Sequence, residues 1–398
     1  MHGMYTKSAL RTASVMAALV LSACGGGGSD TTAKVVYTAL VSFGDSLSDV
    51  GTYKVGAIAA VGGGQWTVNG ITSGPVNWTE LLAGQVNLPA PCPAATGLLS
   101  NIPQIPPVPV SPNANCTNYA QGSARVTLPY GPNAAALQPF IAPQTNIGLI
   151  AQPLVSQFAT QLALHGNYTG KELVTILAGA NDIFMHINAV SAAAAGGAGA
   201  VGAATLAGWT AAEQNAVAAG GAAAVNAATT AAVTHSAQNA ADLAGYIQAS
   251  VLGKGANYVV VVNLPSIENT PFGQGSGAQA LLNSMVTTFN SNLKTALAGA
   301  PGLLLVDAYT QGVDQYNHPA QYGLTNVTTP ACTNTVAHPN ILYSPATGAS
   351  SLACTTSNTL SGVDVSSYFY ADTVHPTPAG YKLLNRYVAE QMAKVGWL

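Results

Sequence analysis

A serine near the start of the chain stands where a nucleophile is expected. The run 35–43 is typical of a buried strand, and Gly44-Asp45-Ser46 follows it. Glycine permits a tight turn, and a helix that begins at the serine points its N–H groups outward, where they stabilise a developing oxyanion. Ser46 is therefore a candidate nucleophile, although a polar turn with Ser46 as a helix cap explains the same residues.

An aspartate and a histidine stand three residues apart near the other end of the chain, as Asp372 and His375. A serine hydroxyl needs a base to accept its proton at neutral pH, and histidine has nearly the right pKa. The histidine in turn needs a carboxylate that fixes its tautomer and stabilises the imidazolium. This pair fits the base and the orienting acid of a serine-based site, or else a solvated turn.

Two further motifs offer hydrogen-bond donors for an oxyanion. The segment 118–122 reads NYAQG and ends in Gly122, whose N–H can reach a substrate oxygen. The segment 177–182 reads LAGAND and places the Asn181 amide just after a second predicted strand. Each motif alone is more often a turn than a site, so their value lies in their combination.

The order and spacing of the four motifs closely resemble those of the GDSL, or SGNH, hydrolase family. The four residues behind the second name fall here on Ser46, Gly122, Asn181 and His375. The resemblance covers about residues 36 to 392. It implies an α/β fold, a three-layer α/β/α sandwich similar to flavodoxin, with about five parallel strands.

Two details place the chain within that resemblance. The stretches 263–265 (NLP) and 270–272 (TPF) look like the esterase and phospholipase branch of the family. Many relatives carry a second glycine after the glycine of the NYAxG motif, whereas this chain has Ser123 there. The departure leaves open which backbone N–H donates.

The resemblance implies a role for each site residue and no metal or cofactor. Ser46 attacks an ester carbonyl, His375 accepts its proton and later protonates the leaving alkoxide, and Asp372 orients His375. The backbone N–H groups of Ser46 and Gly122 and the Asn181 side chain hold the oxyanion. Water then releases the acyl group.

The predicted secondary structure supports an α/β sheet. Apolar runs with helical segments between them are typical of buried parallel strands, and they fall at 35–43, 173–178, 258–264 and 303–307. In such sheets, ligands bind beyond the carboxyl ends of the strands, and both Ser46 and Asn181 follow strand ends. We expect one domain over residues 35–398.

Two helical regions stand out in that domain. An Ala- and Gly-rich insert at about 186–244 predicts two or three helices, with Gly-Gly pairs between them. Near the carboxyl end, Thr377 fits a helix cap and Pro378 a first turn.

The first residues predict export. Residues 1–23 have a basic start and a short apolar run, which suits a secretory signal and is too short for a membrane span. Cys24 completes a stretch that resembles the bacterial lipobox, with lipidation of its sulfur, and 24–34 read as a Gly-rich tether. We expect a lipid anchor in the outer membrane, facing the periplasm or the cell surface. An ordinary signal with a chance cysteine, and hence a secreted protein, is the alternative.

The other four cysteines form two close pairs, Cys92 with Cys116 and Cys332 with Cys354. An exported compartment is oxidising, so disulfides are expected. Three connectivities are possible, and we favour the two local ones because each closes a short polar loop. A metal site lacks the C-x2-C spacing and an adjacent histidine.

Long loops give a hypothesis for the substrate pocket. The segments 62–78, 92–116 and 332–354 are long enough to serve a site, and Trp66 and Trp78 would offer apolar contact to an acyl group. Plain surface elaboration explains them equally well. The remaining histidines lack partners at metal spacing and are expected on the surface or in loops: His165, His186, His235, His318 and His338.

Composition narrows the function class. Charged residues are 6% of the 398 residues, and the net charge is −3. No basic field exists to hold nucleic acid. We expect a monomer that cleaves lipid or other small acyl esters. An acyltransferase with the same acyl-enzyme, a polysaccharide deacetylase and a non-enzymatic binding lipoprotein are the alternatives.

Overall fold

The computed structural model describes residues 35–71, 74–100, 102–132, 147–148, 151–345 and 347–398. The expected signal peptide 1–23, the lipidation site Cys24 and the tether 24–34 lie outside the described residues. In chain order, the strands and helices are β1 (Leu40–Gly44), α1 (Gly56–Ala60), α2 (Trp78–Gln85), β2 (Ala95–Ser100), β3 (Val108–Pro112), β4 (Ile147–Gly148), α3 (Leu154–His165), β5 (Leu173–Leu177), α4 (Ala180–Ala193), α5 (Gly197–Ala207), α6 (Ala211–Ala218), α7 (Gly221–Ser250), β6 (Tyr258–Val262), α8 (Pro271–Gly275), α9 (Gln279–Leu297), β7 (Leu303–Val306), α10 (Ala308–Asn317) and α11 (Pro378–Lys394).

The central sheet is parallel, with the strand order β1-β5-β6-β7. Its register pairs Leu40 with Leu173 and Leu173 with Tyr258, so the strands end together at one edge. Every residue of β1 and β5 is buried, which explains their continuous apolar runs. The predicted strands are correct in position, although β1 begins at Leu40, five residues after the start of its apolar run.

Among the described residues the sheet has four strands, against the expectation of about five. The segment beside the outer edge of β1 forms one parallel bridge, between Ser42 and Asn118. The Asn118 side-chain oxygen accepts a hydrogen bond from the Ala120 N–H, 3.2 Å away. The segment nevertheless stays beside β1, since the N–H groups of Tyr119 and Gln121 donate to the carbonyl oxygens of Ser42 and Gly44. The fifth position therefore holds an irregular extended segment with one bridge to β1.

Helices cover both faces of the sheet, which gives the three layers that the sequence predicts. Alternate strand residues point to opposite sides. Val41 and Val174 pack into a large core with α3, α4, α7 and α9. Leu40 and Leu173 pack into a second core with α2 and α11. Both cores are built on strands whose carboxyl ends carry the site.

The Ala- and Gly-rich insert folds as the end of α4 and three further helices, α5, α6 and α7. The sequence predicted two or three helices. The break between α5 and α6 lies at Gly208, which has a φ of 88°, and Thr210 is the N-cap of α6 in a capping box with Glu213. Alanines line the buried faces of α5 and α7, so these helices pack closely with little side-chain volume.

A second, smaller sheet has the strand order β3-β2-β4. Strands β2 and β3 form an antiparallel hairpin, and β4 pairs with β2. A separate apolar cluster joins this hairpin to Tyr53, Trp66 and Leu352. Residues Val35–Leu398 form one compact unit. None of the helices in the described ranges has the length and apolar character needed to cross a membrane.

Candidate active site

Ser46 lies on the sharp turn that follows β1. The turn needs glycine at position 44, because a Cβ there would lie 2.4 Å from the Leu177 carbonyl oxygen of the neighbouring strand. The turn places the Ser46 Oγ 2.9 Å from Nε2 of His375, across a separation of 329 residues. The two residues that the sequence assigned as nucleophile and base are thus within hydrogen-bond distance.

Asp372 holds the other side of the His375 ring. Its two carboxylate oxygens lie 2.9 and 2.8 Å from Nδ1 of His375. The carboxylate also accepts hydrogen bonds from the backbone N–H groups of Ser351, Val374 and His375. Burial would raise the pKa of Asp372, but His375 and these hydrogen bonds outweigh burial and hold its pKa well below the ordinary value.

This arrangement fixes the tautomer of the neutral His375 ring. An ionised carboxylate only accepts hydrogen bonds, so Nδ1 carries the proton that is directed at Asp372. Nε2 therefore presents its lone pair to the Ser46 hydroxyl, which donates to it. The ring is ready to accept a proton from Ser46.

Two donors remain available for an oxyanion. The Asn181 amide donates one hydrogen to the Ala124 carbonyl oxygen at 2.9 Å, and its second N–H is not used by that bond. The Ser46 backbone N–H donates to no protein acceptor in the part of the chain that the structure describes. Asn181 is in the first turn of α4, directly after β5.

Gly122 lies beside the site, but its N–H is directed elsewhere. The N–H donates to Oδ2 of Asp49 at 3.0 Å, and the Gly122 carbonyl accepts from the Tyr53 hydroxyl. Asp49 is fully buried, and burial raises its pKa despite the hydrogen bonds it receives. The expected oxyanion contact of Gly122 is therefore replaced, in this structure, by a hydrogen bond that satisfies a buried carboxyl group.

Ser123 stands where many relatives have a second glycine. Its φ is 68°, in the left-handed region where glycine is favoured. A second glycine at this position in relatives would adopt this backbone without strain. Here a serine adopts the same backbone conformation.

Trp66 packs against His375, whereas Trp78 does not reach the site. The Trp66 and His375 ring centroids are 4.7 Å apart. The indole also lies close to Gly122, where a Cβ would be 2.3 Å from Cζ2. Trp78 is 0% exposed in α2 and donates to the Ser48 Oγ, so it belongs to the core and cannot touch substrate.

Both predicted disulfides are present, Cys92–Cys116 and Cys332–Cys354. The first closes the loop directly before the NYAQG motif, where the Asn118 N–H donates to the Cys92 carbonyl. The second closes the loop that carries Ser351, whose N–H donates to Asp372. Both loops thus support segments that carry site residues.

Sequence reasoning missed Ser351 and Asp49 as parts of the site. Ser351 has no local signal, because its contact with Asp372 depends on the path of a long loop. Asp49 had a signal, since it stands three residues after Ser46 in the same motif. Asp45, directly before Ser46, is also a buried acid, and burial raises its pKa to about 7.

One histidine prediction is wrong. His186 is buried within α4, not on the surface or in a loop, and burial lowers its pKa to about 4. Its Nδ1 accepts from the Trp209 indole N–H, so Nε2 carries the proton and donates to Asn239. His235, in α7, lies next to this cluster and contacts Glu213. Within the described ranges, no three His, Cys, Asp or Glu side chains cluster as metal ligands would.

An apolar cavity of about 70 Å³ lies beside the catalytic residues. Leu47, next to Ser46, lines it together with Val374 and Pro376, which flank His375. Leu177 at the carboxyl end of β5 and Ala308 at the start of α10 also line it. The site thus combines a polar catalytic centre with an adjacent apolar space.

Comparison with known proteins gives one positive result. A family model described as GDSL-like lipase/acylhydrolase matches residues 40–388, which is most of the chain and includes every proposed catalytic residue. No curated protein matches the chain.

Proposed function

Because the chain belongs to the GDSL-like lipase/acylhydrolase family, we propose that it is a serine carboxylic ester hydrolase that forms an acyl-enzyme on Ser46. Family membership makes it an ester hydrolase in general terms. The observation that carries the proposal is the chain of contacts from Ser46 through His375 to Asp372, each of about 2.9 Å.

In the first step, the Ser46 Oγ attacks the ester carbonyl carbon and its proton moves to Nε2 of His375. Asp372 stabilises the imidazolium that forms, and its low pKa keeps it ionised. The carbonyl π electrons move to the oxygen and form a tetrahedral oxyanion. When the tetrahedral intermediate collapses, the C–O bond to the alcohol breaks and His375 protonates the leaving alkoxide.

In this proposal the oxyanion is held by two donors, the Ser46 backbone N–H and the free N–H of the Asn181 amide. Fixed dipoles need no reorganisation during the reaction, so they stabilise developing charge better than water does. The hydrogen bond to Ala124 supports this role because it restricts rotation of the Asn181 amide.

In the second step, water replaces the alcohol. His375 accepts a proton from the water, whose oxygen attacks the acyl carbonyl, and a second tetrahedral intermediate forms. When it collapses, the bond to the Ser46 Oγ breaks and His375 returns the proton to the serine. The products are a carboxylic acid and the free enzyme.

The apolar cavity beside Leu47 and Val374 supports an acyl ester substrate. Apolar side chains release water when a hydrocarbon chain binds, at roughly 25 cal/mol for each Å² of apolar surface buried. A lipid or another small acyl ester is therefore the substrate class that we propose.

The test uses purified protein and a panel of p-nitrophenyl esters and phospholipids. We expect turnover of some members and a loss on the order of 10⁶-fold for Ser46→Ala. Ser291→Ala, on the exposed face of α9, is the matched control and should hydrolyse esters like the wild type. Full activity of Ser46→Ala would refute the proposal.

We also propose that the protein is exported and anchored by a lipid on Cys24. The two disulfides support an oxidising compartment. Cell fractionation with labelled fatty acid tests the anchor: the wild type should carry label in the outer-membrane fraction, and Cys24→Ser should not. Equal label in both variants would contradict it.

A further inference from the structure

Arg125 is a buried charge in a chain with few charged residues. Its side chain is 0% exposed, and it lies three residues after Gly122. Burying an ionised group is costly unless it is paired and fully hydrogen-bonded. The hydrogen-bond partners of Arg125 therefore indicate the role of this buried charge.

All three nitrogens of the Arg125 guanidinium group donate hydrogen bonds. Its Nε donates to Oδ1 of Asp182 at 2.8 Å, and its two terminal nitrogens donate to the Leu206 and Ala207 carbonyls at 2.7 and 3.1 Å. Both carbonyls are in the last turn of α5, where a cation also stabilises the helix dipole. Arg125 thus joins the Ala-rich insert to the segment that follows Gly122.

Asp182 is the residue after Asn181, and it binds the same segment twice. Its Oδ1 accepts from Arg125 and its Oδ2 accepts from the Val126 N–H at 3.0 Å. Asn181 itself donates to the Ala124 carbonyl at 2.9 Å. Three consecutive residues, 124–126, are therefore bonded to two consecutive residues, 181 and 182.

We propose that Arg125 and Asp182 are positioning residues that set the orientation of the Asn181 amide toward the oxyanion. The proposal rests on the proposed ester hydrolysis at Ser46. Neither residue touches the reacting atoms; they hold the start of α4 against residues 124–126, so that one N–H of Asn181 bonds Ala124 and the other faces the substrate.

The geometry gives the expected size of the effect. Removing one oxyanion donor costs about 10²–10³-fold in turnover, and a misplacement of about 1 Å can cost about 10²-fold. A variant that weakens the contact between Arg125 and Asp182 should lose part of the rate enhancement that the Asn181 donor contributes. Since the bound ester carries no oxyanion and the charge develops only as Ser46 attacks, the loss should fall on kcat and leave KM little changed.

Arg125→Lys is the first variant, because lysine keeps the charge but cannot reproduce the planar fork. We expect kcat to fall roughly 10- to 100-fold, with KM within about threefold of the wild type. Active sites are counted with a fluorophosphonate, so that rates refer to reactive Ser46. Asp182→Asn, which keeps the shape of the side chain, is the second variant if lysine prevents folding.

Arg386→Lys is the matched control. Arg386 forms an exposed pair with Glu390 at 3.7 Å on α11, and its replacement should leave kcat unchanged. Thermal unfolding of all variants shows whether each is folded at the assay temperature.

The deciding readout is a double-mutant cycle with Asn181→Ala. If Arg125 acts through Asn181, then in the Asn181→Ala background Arg125→Lys should lower kcat by less than about threefold. If the pair is merely structural, the two losses multiply, and that result overturns the proposal, as does an unchanged kcat in Arg125→Lys. Failure of the proposed ester hydrolysis would look different, since the wild type itself would then show no turnover dependent on Ser46.

Discussion

Replacing Gly122 with alanine tests whether the Trp66 ring controls the position of His375. A Cβ at Gly122 would lie 2.3 Å from Cζ2 and 2.5 Å from Cε2 of Trp66. Carbon atoms in contact sit about 3.5 Å apart, so the indole must retreat by roughly 1 Å. The His375 ring lies 4.7 Å from the indole, centroid to centroid, so the displacement should reach the imidazole. A shift of that size at a catalytic group costs about 10²-fold in kcat.

Alanine leaves two other properties of position 122 unchanged, its hydrogen bond to Asp49 and its backbone conformation. It keeps the N–H that donates to Asp49, and the φ of Gly122 is outside the left-handed region, so the backbone accepts a side chain. The assay is kcat for a short p-nitrophenyl ester. Trp66→Phe in the Gly122→Ala chain should restore part of the activity, because a smaller ring relieves the clash.

Gly245→Ala is the matched control for that experiment. Gly245 is exposed on α7, and a Cβ there would meet no atom within 4 Å. Its kcat should equal that of the wild type. The reasoning is refuted if Gly122→Ala hydrolyses the ester at the wild-type rate, or if Trp66→Phe gives no recovery.

Three further predictions concern stability. Burial raises the pKa of Asp45 to about 7, so the folded state binds this proton more tightly than the unfolded state does. The folded state therefore loses stability as pH rises from about 4 to 7, and Asp45→Asn should not show this loss because asparagine does not ionise. Urea unfolding should show the variant gaining on the wild type by about 2–3 kcal/mol more at pH 8 than at pH 5, and an equal difference at both pH values would contradict the raised pKa. Replacing Cys332 and Cys354 with alanine should cost roughly 2–4 kcal/mol in urea unfolding, and an unchanged midpoint would be the opposing result. Thr377→Ala removes the side-chain cap of α11, a hydrogen bond from the Gly380 N–H, and should lower the free energy of unfolding by about 1 kcal/mol; no change would mean that the cap is replaced.

The fold could be predicted well where a signal is local. The apolar runs gave the four strands because both faces of the sheet are buried, and Thr377 and Pro378 gave the start of α11. The three helices of the insert, α5 to α7, lie within the predicted range of two or three, and Thr210 and Glu213 carry the sequence pattern of a capping box. The fifth position had no such signal, since the segment around Asn118 pairs with β1 through only one bridge.

The site divides in the same way. Asp372 and His375 are three residues apart, so their contact follows from the local turn, and the position of Ser46 follows from the end of β1. Contacts made between loops could not be predicted. His186 was misplaced because its partners, Trp209 and Asn239, lie 23 and 53 residues away and share no pattern with it.

The hydrogen bond between Gly122 and Asp49 bears on how the oxyanion is held. Oδ1 of Asp49 accepts from Gly51 and Thr52, whereas Oδ2 accepts from Gly122 at 3.0 Å and from the Trp66 indole at 3.4 Å. If Gly122 turned its N–H to a substrate, Oδ2 would keep only the longer bond, at a cost of about 1–3 kcal/mol. That cost offsets much of what one more donor contributes, about 3–4 kcal/mol. Switching would therefore cost Gly122 part of what it could contribute, so we expect the Ser46 N–H and the Asn181 amide to provide most of the stabilisation of the oxyanion.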